Sequence, residues 1–492
     1  MAVLFSPDDI SASTASRGVK AGRLRRIGRG IVTDELDRDL SDVVADHAYE
    51  IVGHVMPAAV ITDRSAVAGG PLPTDEGLVL FVVHQERRRD LQLPGLLVAV
   101  RSGPGPVEGD QPFQVDGVHL ASQARTLVDN ARLSRAGSAG IARTLSTEEL
   151  EEHVDRLASR YTAERLARLR ADVERVAATL DESDLGVHVG DLIGAAQGTR
   201  PDVAVRTPAL TSRRDGVPVD RHRIELFDRL WSALRDRAPD PQPVTDRGAA
   251  RRTVLPFFDA YFSNFIEGTE FAVDEAVAIV YDGHVPEARS ADAHDVVGTH
   301  RIVADDALMS SPAGDGEQLL ATLRSHHATI MLRRPDKNPG RFKTQVNRVG
   351  ATVFVSPQET IGTLQAGWER VRSLDDPFAR AVAAMFVVAE VHPFGDGNGR
   401  VARILMNTEL VAAGQARIVI PSVYRNNYLA ALRAMTANGR PDALVATLAF
   451  AQRWTARVDW SSVATARADL DRTNALLDPV AAEQEGLRLL MP

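Results

Sequence analysis

Residues 392–403 read HPFGDGNGRVAR, and the reading of this stretch decides the fold. It follows the apolar run FARAVAAMFVVAEV (378–391), which opens on Asp376-Pro377, an acidic cap with proline at the first helical position. A helix apolar on nearly every face belongs in a core. Pro393 cannot continue it, so His392 is expected at the exit of a buried helix. Gly395, Gly397 and Gly399 permit unusual backbone angles, and a second helix, GRVARILMNTELVAAG closed by Gly414, would turn its first N–H groups back into the loop. Such a helix start is an anion site, most naturally for phosphate. Arg400 and Arg403 lie three residues apart on one helix face, and both are expected to reach the anion. Asp396 inside a phosphate nest calls for a bridging divalent cation, Mg²⁺. His392, with an ordinary pKa near ~6.5, can accept a proton at neutral pH. The set fits nucleophilic substitution on a nucleotide phosphate.

Other phosphate and metal motifs fail on their own terms. The loop has no lysine for a GxxxxGK[ST] P-loop, and the kinase lysine and catalytic-loop motifs are absent. An EF-hand beginning at Asp396 would carry Val401 where glycine is required and Asn407 where the bidentate glutamate belongs. Zero cysteines exclude disulfides, thiolate nucleophiles and Cys-ligated metals. A net charge of −9 argues against broad electrostatic binding to nucleic acid, though not against a local basic patch.

A chain of 492 residues exceeds a single core and predicts several domains. Residues 1–195 read as an α/β domain, with short β-rich runs such as GLVLFVVH and GLLVAVR and then a helix capped by Ser122. A Gly/Pro/Thr-rich passage, 196–220, reads as a linker. Helical periodicity dominates 221–460, broken at 340–357 by β-branched residues around a glycine, the pattern of a hairpin. Residues 461–492 read as a helical tail. The start MAVLFSPDDI lacks a signal-peptide pattern, and no apolar run reaches the ~18 to 20 residues of a membrane span, so a cytoplasmic protein is expected.

The stretch 392–403 resembles the Fic family motif HxFx[DE]GNGRxxR, with His392, Phe394, Asp396, Gly397, Asn398, Gly399, Arg400 and Arg403 at every fixed position. The resemblance extends over roughly 221 to 460 and implies a mainly α Fic fold with a β-hairpin flap, separate from the N-terminal α/β domain. It implies transfer of AMP from ATP to a Ser, Thr or Tyr hydroxyl of a target protein. By that likeness His392 is the general base, Phe394 anchors the loop and Asp396 binds Mg²⁺. Gly397, Asn398 and Gly399 would hold the α- and β-phosphates, and Arg400 and Arg403 the β- and γ-phosphates. The hairpin is similar to the family's flap, which grips the target as an added strand; it reads Gly340-Arg341-Phe342-Lys343 where the family commonly shows G-x-F-R. Val349 and Gly350 on the flap count among the nucleotide contacts. Tyr428 falls where the family often sets an aromatic over adenine, with an ordinary packing role equally open.

Upstream, YFSNFIEGTE (261–270) has the spacing S-x-x-x-E-G, and Ser263 and Glu267 are i,i+4 neighbours on one helix face. The segment resembles the family's inhibitory motif [ST]xxxE[GN], which implies that Glu267 pairs with Arg403 and blocks the γ-phosphate. Some members use this glutamate to remove AMP, so the direction of the reaction, like the choice of UMP or GMP, stays open. Residues 17–29, RGVKAGRLRRIGR, carry six cations and no anion; with HLASQARTLVDNARL they weakly resemble AbiEi-like antitoxins, which begin with a winged-helix unit. That likeness implies a DNA-binding regulator or toxin–antitoxin-like protein with a nucleotide-sensing Fic domain, the less favoured alternative. Self-modification and a homo-oligomer stay open. His294-Asp295 resembles an HD phosphohydrolase dipeptide without its other ligands, and it and His326-His327 are expected to be surface or packing residues.

Overall fold

The computed structural model describes residues 3–113, 115–137, 140–236, 239–244, 248–350 and 352–492. The chain divides into two units, Met1–Gly216 and Val217–Pro492.

The first unit is mixed α/β. Its short strands β1 (Val3–Phe5), β2 (Arg25–Gly28) and β3 (Ile31–Thr33) form an antiparallel sheet in the order β1-β3-β2. A larger mixed sheet uses β4 (Ala59–Ile61), β5 (Leu72–Thr74), β6 (Gly77–His84), β7 (Leu91–Leu93), β8 (Leu96–Ser102), β9 (Gln111–Phe113) and β10 (Val115–Leu120) in the order β7-β8-β6-β4-β10-β9, with β5 beside β6. Strand β6 is a continuous apolar run because Leu80 and Val82 face one core while Val79 and Phe81 face another. Ser122 caps the helix Gln123–Asn130, its side chain accepting from the Arg125 N–H.

The passage 196–220 is not a free linker. Pro208–Arg214 forms a helix with proline at its start and Leu210 fully buried. The Glu151 carboxylate accepts from the Arg206 and Thr207 N–H groups, and Arg213 Nε donates to Asp155 Oδ1 at 2.6 Å. Its Thr-Pro pair starts a helix, and composition alone does not separate that signal from a loop.

The second unit is mainly helical. Helix Pro377–Val391 begins where Asp376 Oδ1 accepts from the Ala379 N–H at 2.8 Å, and it lies in the core with Trp368, Leu364 and Leu405 around it. Helix Asn398–Ala412 packs against it. The only strands among the described residues of this unit, β11 (Arg348–Val349) and β12 (Thr352–Val353), pair antiparallel within the expected flap. The tail is part of this unit: Leu470, Ala475, Ala482 and Leu489 share a core with Phe258, Phe262, Trp454 and Trp460. No helix among the described residues is long and apolar enough to cross a membrane.

Candidate active site

His392 caps helix Pro377–Val391 in the left-handed region, φ 54° and ψ 59°, its N–H donating to the Val388 carbonyl. That backbone swing brings its Nδ1 to 3.2 Å from the Ala389 carbonyl. A carbonyl only accepts, so Nδ1 carries the proton and Nε2 keeps its lone pair. Phe354, just past β12, stacks on the imidazole at 3.9 Å. Burial pushes the imidazole down to about 4, with the Lys343 cation acting in the same direction. His392 is therefore a neutral base throughout the neutral range.

The loop is held from several sides. Phe394 is fully buried, stacked 3.8 Å from the His327 ring. His327 Nε2 donates to the Asp396 carbonyl at 3.1 Å and its Nδ1 accepts from the Gly340 N–H at 2.9 Å, linking the start of the flap to the loop. Asn347 Nδ2 donates to the Phe394 carbonyl at 2.7 Å, and Lys343 Nζ donates to the Val391 carbonyl at 3.1 Å. Burial lowers the Lys343 pKa to about 7. Gly397 has φ 75° at the mouth of helix Asn398–Ala412, a conformation that favours glycine.

At the start of the motif helix Arg403 is met by the protein's own side chains. Arg403 Nη2 donates to Glu267 Oε1 at 2.7 Å and to the Ser263 carbonyl at 2.7 Å, while its Nε donates to Ser263 Oγ at 3.0 Å. A methyl group built on Gly399 would lie 2.1 Å from Glu267 Oε1, so the carboxylate rests directly on the first turn of the motif helix. Burial disfavours charge on Arg403, and Glu267 together with the Tyr428 hydroxyl offsets it, holding the guanidinium pKa above its ordinary value.

Five expected contact residues are arranged differently. Arg400 does not join Arg403: its Nη1 donates to Asp295 Oδ2 at 2.6 Å and to Asn264 Oδ1 at 3.3 Å, because Asp295 is a buried carboxylate with a stronger claim. Asn398 is 2% exposed and spends both ends of its amide on Phe394, accepting from its N–H at 2.8 Å and donating to its carbonyl at 2.9 Å. Tyr428 is 1% exposed, its hydroxyl 3.4 Å from Met385 Sδ and interacting with the Arg403 guanidinium rather than standing over an open nucleotide site. Val349 is 63% exposed and Gly350, at φ 58°, forms the hairpin bend; the flap residue that meets His392 is Phe354.

Asp396 fits a metal bridge of the magnesium kind. Its side chain is 41% exposed; Oδ1 accepts from the Gly397 N–H at 2.6 Å and lies 3.8 Å from Arg400, leaving Oδ2 open. No group of three or more acidic or histidine ligands occurs among the described residues. One carboxylate completed by substrate phosphates is a usual magnesium arrangement. His327, Asn347, Asp295 and Asn264 are absent from the sequence reading as site residues; His294-Asp295 and His326-His327 drew attention there, but only as surface or packing pairs.

Residues 319–410 match the family model described as Fic/DOC family. The chain is similar to "Protein adenylyltransferase fic-1" of Caenorhabditis elegans, 28% identical over 183 residues, 36% of each chain. It is also similar to "Protein adenylyltransferase Fic" of Drosophila mojavensis, 26% identical over 236 residues, 45% of each. The chain thus spans less than half the length of these curated relatives. Among solved structures, a fragment of C. elegans Fic-1 aligns at 17% identity and a TM-score of 0.37, over 67% of this chain and 98% of that one.

Proposed function

Since the chain carries a domain of the Fic/DOC family at residues 319–410, we propose that it transfers AMP from ATP to a hydroxyl side chain of a target protein and that Glu267 restrains the reaction. The observation that carries this reading is the Glu267 carboxylate at 2.7 Å from Arg403, over Gly399: an anion site filled by an internal anion. A triphosphate whose terminal phosphate takes that seat must displace Glu267, and like charges cannot share it.

The target hydroxyl gives its proton to His392 Nε2 as its oxygen bonds to the α-phosphorus. The bond from that phosphorus to the oxygen bridging the β-phosphate breaks, and pyrophosphate leaves. Asp396 would hold the magnesium ion, whose chemistry is to neutralise phosphate charge. Asn398, His327 and Asn347 keep the loop backbone in shape, and Arg400, tied to Asp295, fixes the helix that carries Arg403. Curated relatives named as adenylyltransferases support ATP as the donor and AMP as the group moved.

The test is the position of the label. A Glu267→Gly protein given ATP labelled at the α-phosphate should label itself or an added protein, and the same protein given γ-labelled ATP should not. Adding His392→Ala should abolish the signal. Label arriving from the γ-position, or from UTP or GTP in preference to ATP, would contradict the reading.

A second reading, DNA binding by the first unit, has one observation in its favour: Arg26 and Arg29 are exposed and form no ion pair with a described residue. Arg25 is spent on the carbonyls of Leu36 and Arg38. Arg26→Glu with Arg29→Glu should abolish retention on DNA if this reading holds.

A further inference from the structure

Beside His392 and the flap lies a groove of about 640 Å³ lined by Lys337, Arg341, Lys343, Arg348, His392 and Gly395 among others. The groove is open at the loop, where a methyl group on Gly395 would meet nothing within 4 Å. Its charge is opposite to that of the chain. The whole protein carries −9, yet residues 333–348 hold six lysines and arginines and a single carboxylate, Asp336.

Some of these cations are already used. Arg334 pairs with Asp292 and Asp295, and Lys337 lies 3.7 Å from Asp336. Lys343 is buried and bound to a carbonyl. Arg341 and Arg348 differ: both are exposed, both line the groove, and neither forms an ion pair with a described residue. Beside them the outer edge of β11 is unpaired among the described residues, whereas the Val353 carbonyl of β12 accepts from Arg223, and Val346, Val349 and Val353 stand out into solvent. An unpaired edge invites an added strand, and exposed valines give it apolar contact. Two free guanidinium groups favour carboxylates on that strand.

We propose that this groove selects target segments in which the modified hydroxyl is flanked by aspartate or glutamate. The proposal rests on the adenylyl-transfer reading and adds the chemistry of the acceptor to it. Main-chain pairing along the flap tolerates many sequences, so Arg341 and Arg348 supply the discrimination. Exposed ion pairs are weak singly and screened by salt, so the preference should be moderate and should shrink at high ionic strength.

The experiment uses the full chain with Glu267→Gly and three peptides of equal length, each with one acceptor hydroxyl flanked by Asp/Glu, by Ala or by Lys. Self-labelling by α-labelled ATP serves as the internal reference. The expected result is kcat/KM for the acidic peptide roughly 10-fold above the alanine peptide and further above the lysine peptide. Arg341→Glu with Arg348→Glu should reverse the order while leaving the KM for ATP unchanged. Equal use of the three peptides would overturn the inference while leaving the transfer reading intact. So would a raised KM for ATP with the peptide order unchanged, since the two arginines would then serve the nucleotide. Loss of all labelling in the Glu267→Gly protein, self-labelling included, would instead overturn the transfer reading.

Discussion

At the residue scale, Asn398 and Arg400 show how a motif position can act through the backbone. Both sit within reach of the anion seat in sequence, yet Asn398 closes a ring on Phe394 and Arg400 is bound by Asp295 and Asn264. Removing the Asn398 amide would strand the buried N–H of Phe394, whose carbonyl keeps the Asn347 amide, at a cost of about 1–3 kcal/mol. Asn398→Ala should therefore lower the melting temperature of the second unit by several degrees as well as slow transfer, measured by calorimetry and labelling together. A variant as stable as the wild type with only the ATP KM raised would return Asn398 to a direct phosphate role. The positions of Ser263 and Glu267 were legible because an i,i+4 pair is local. Asp295 was not, since it lies 105 residues from Arg400 in sequence and no spacing rule links them.

At the scale of elements, the helices that frame the loop were written in their ends. Asp376-Pro377 starts one and Pro393 stops it, while Gly414 follows the other. The charged stretch 147–179 carries the same kind of signal: Thr162, whose hydroxyl accepts from the Arg165 N–H, divides it into two helices. Composition was a poorer guide than caps. The passage 196–220 holds the helix Pro208–Arg214, and the tail buries Leu470 and Leu489 against aromatic side chains that lie far off in sequence. The flap was legible as a hairpin, but its attachments were not. Arg223 donates to the Val353 carbonyl at 2.6 Å and lies 2.8 Å from Glu390, so one buried side chain ties the second leg of the flap to the helix that ends in His392.

At the scale of the whole molecule, buried imidazoles set an acid limit. Burial lowers His326, His327 and His392 each to about 4. His327 has no room for a second proton, because its Nδ1 already accepts from the Gly340 N–H. The unfolded chain takes these protons near pH ~6.5 and the fold refuses them until about 4, so the unfolded state binds more protons in between. Stability should fall as pH drops through that window, by at most about 1.4 kcal/mol per pH unit for each imidazole. The raised carboxyl pKa values of Asp259 and Glu390, caused by burial, act in the opposite sense. Melting curves from pH 7 to pH 5 should show a decline wherever the imidazoles outweigh these carboxyls, and imidazole NMR signals of His326 and His327 that titrate near pH ~6.5 would mean that the rings are not held neutral by the fold.

The account turns on Glu267 occupying the seat that a terminal phosphate needs. The direct measurement is the intact mass of the wild-type and Glu267→Gly proteins over time with magnesium and ATP. The Glu267→Gly protein should gain the mass of AMP at least roughly 10-fold faster, the equivalent of about 1.4 kcal/mol of lost competition. Equal or slower gain in that protein would contradict the claim that Arg403 exchanges Glu267 for phosphate.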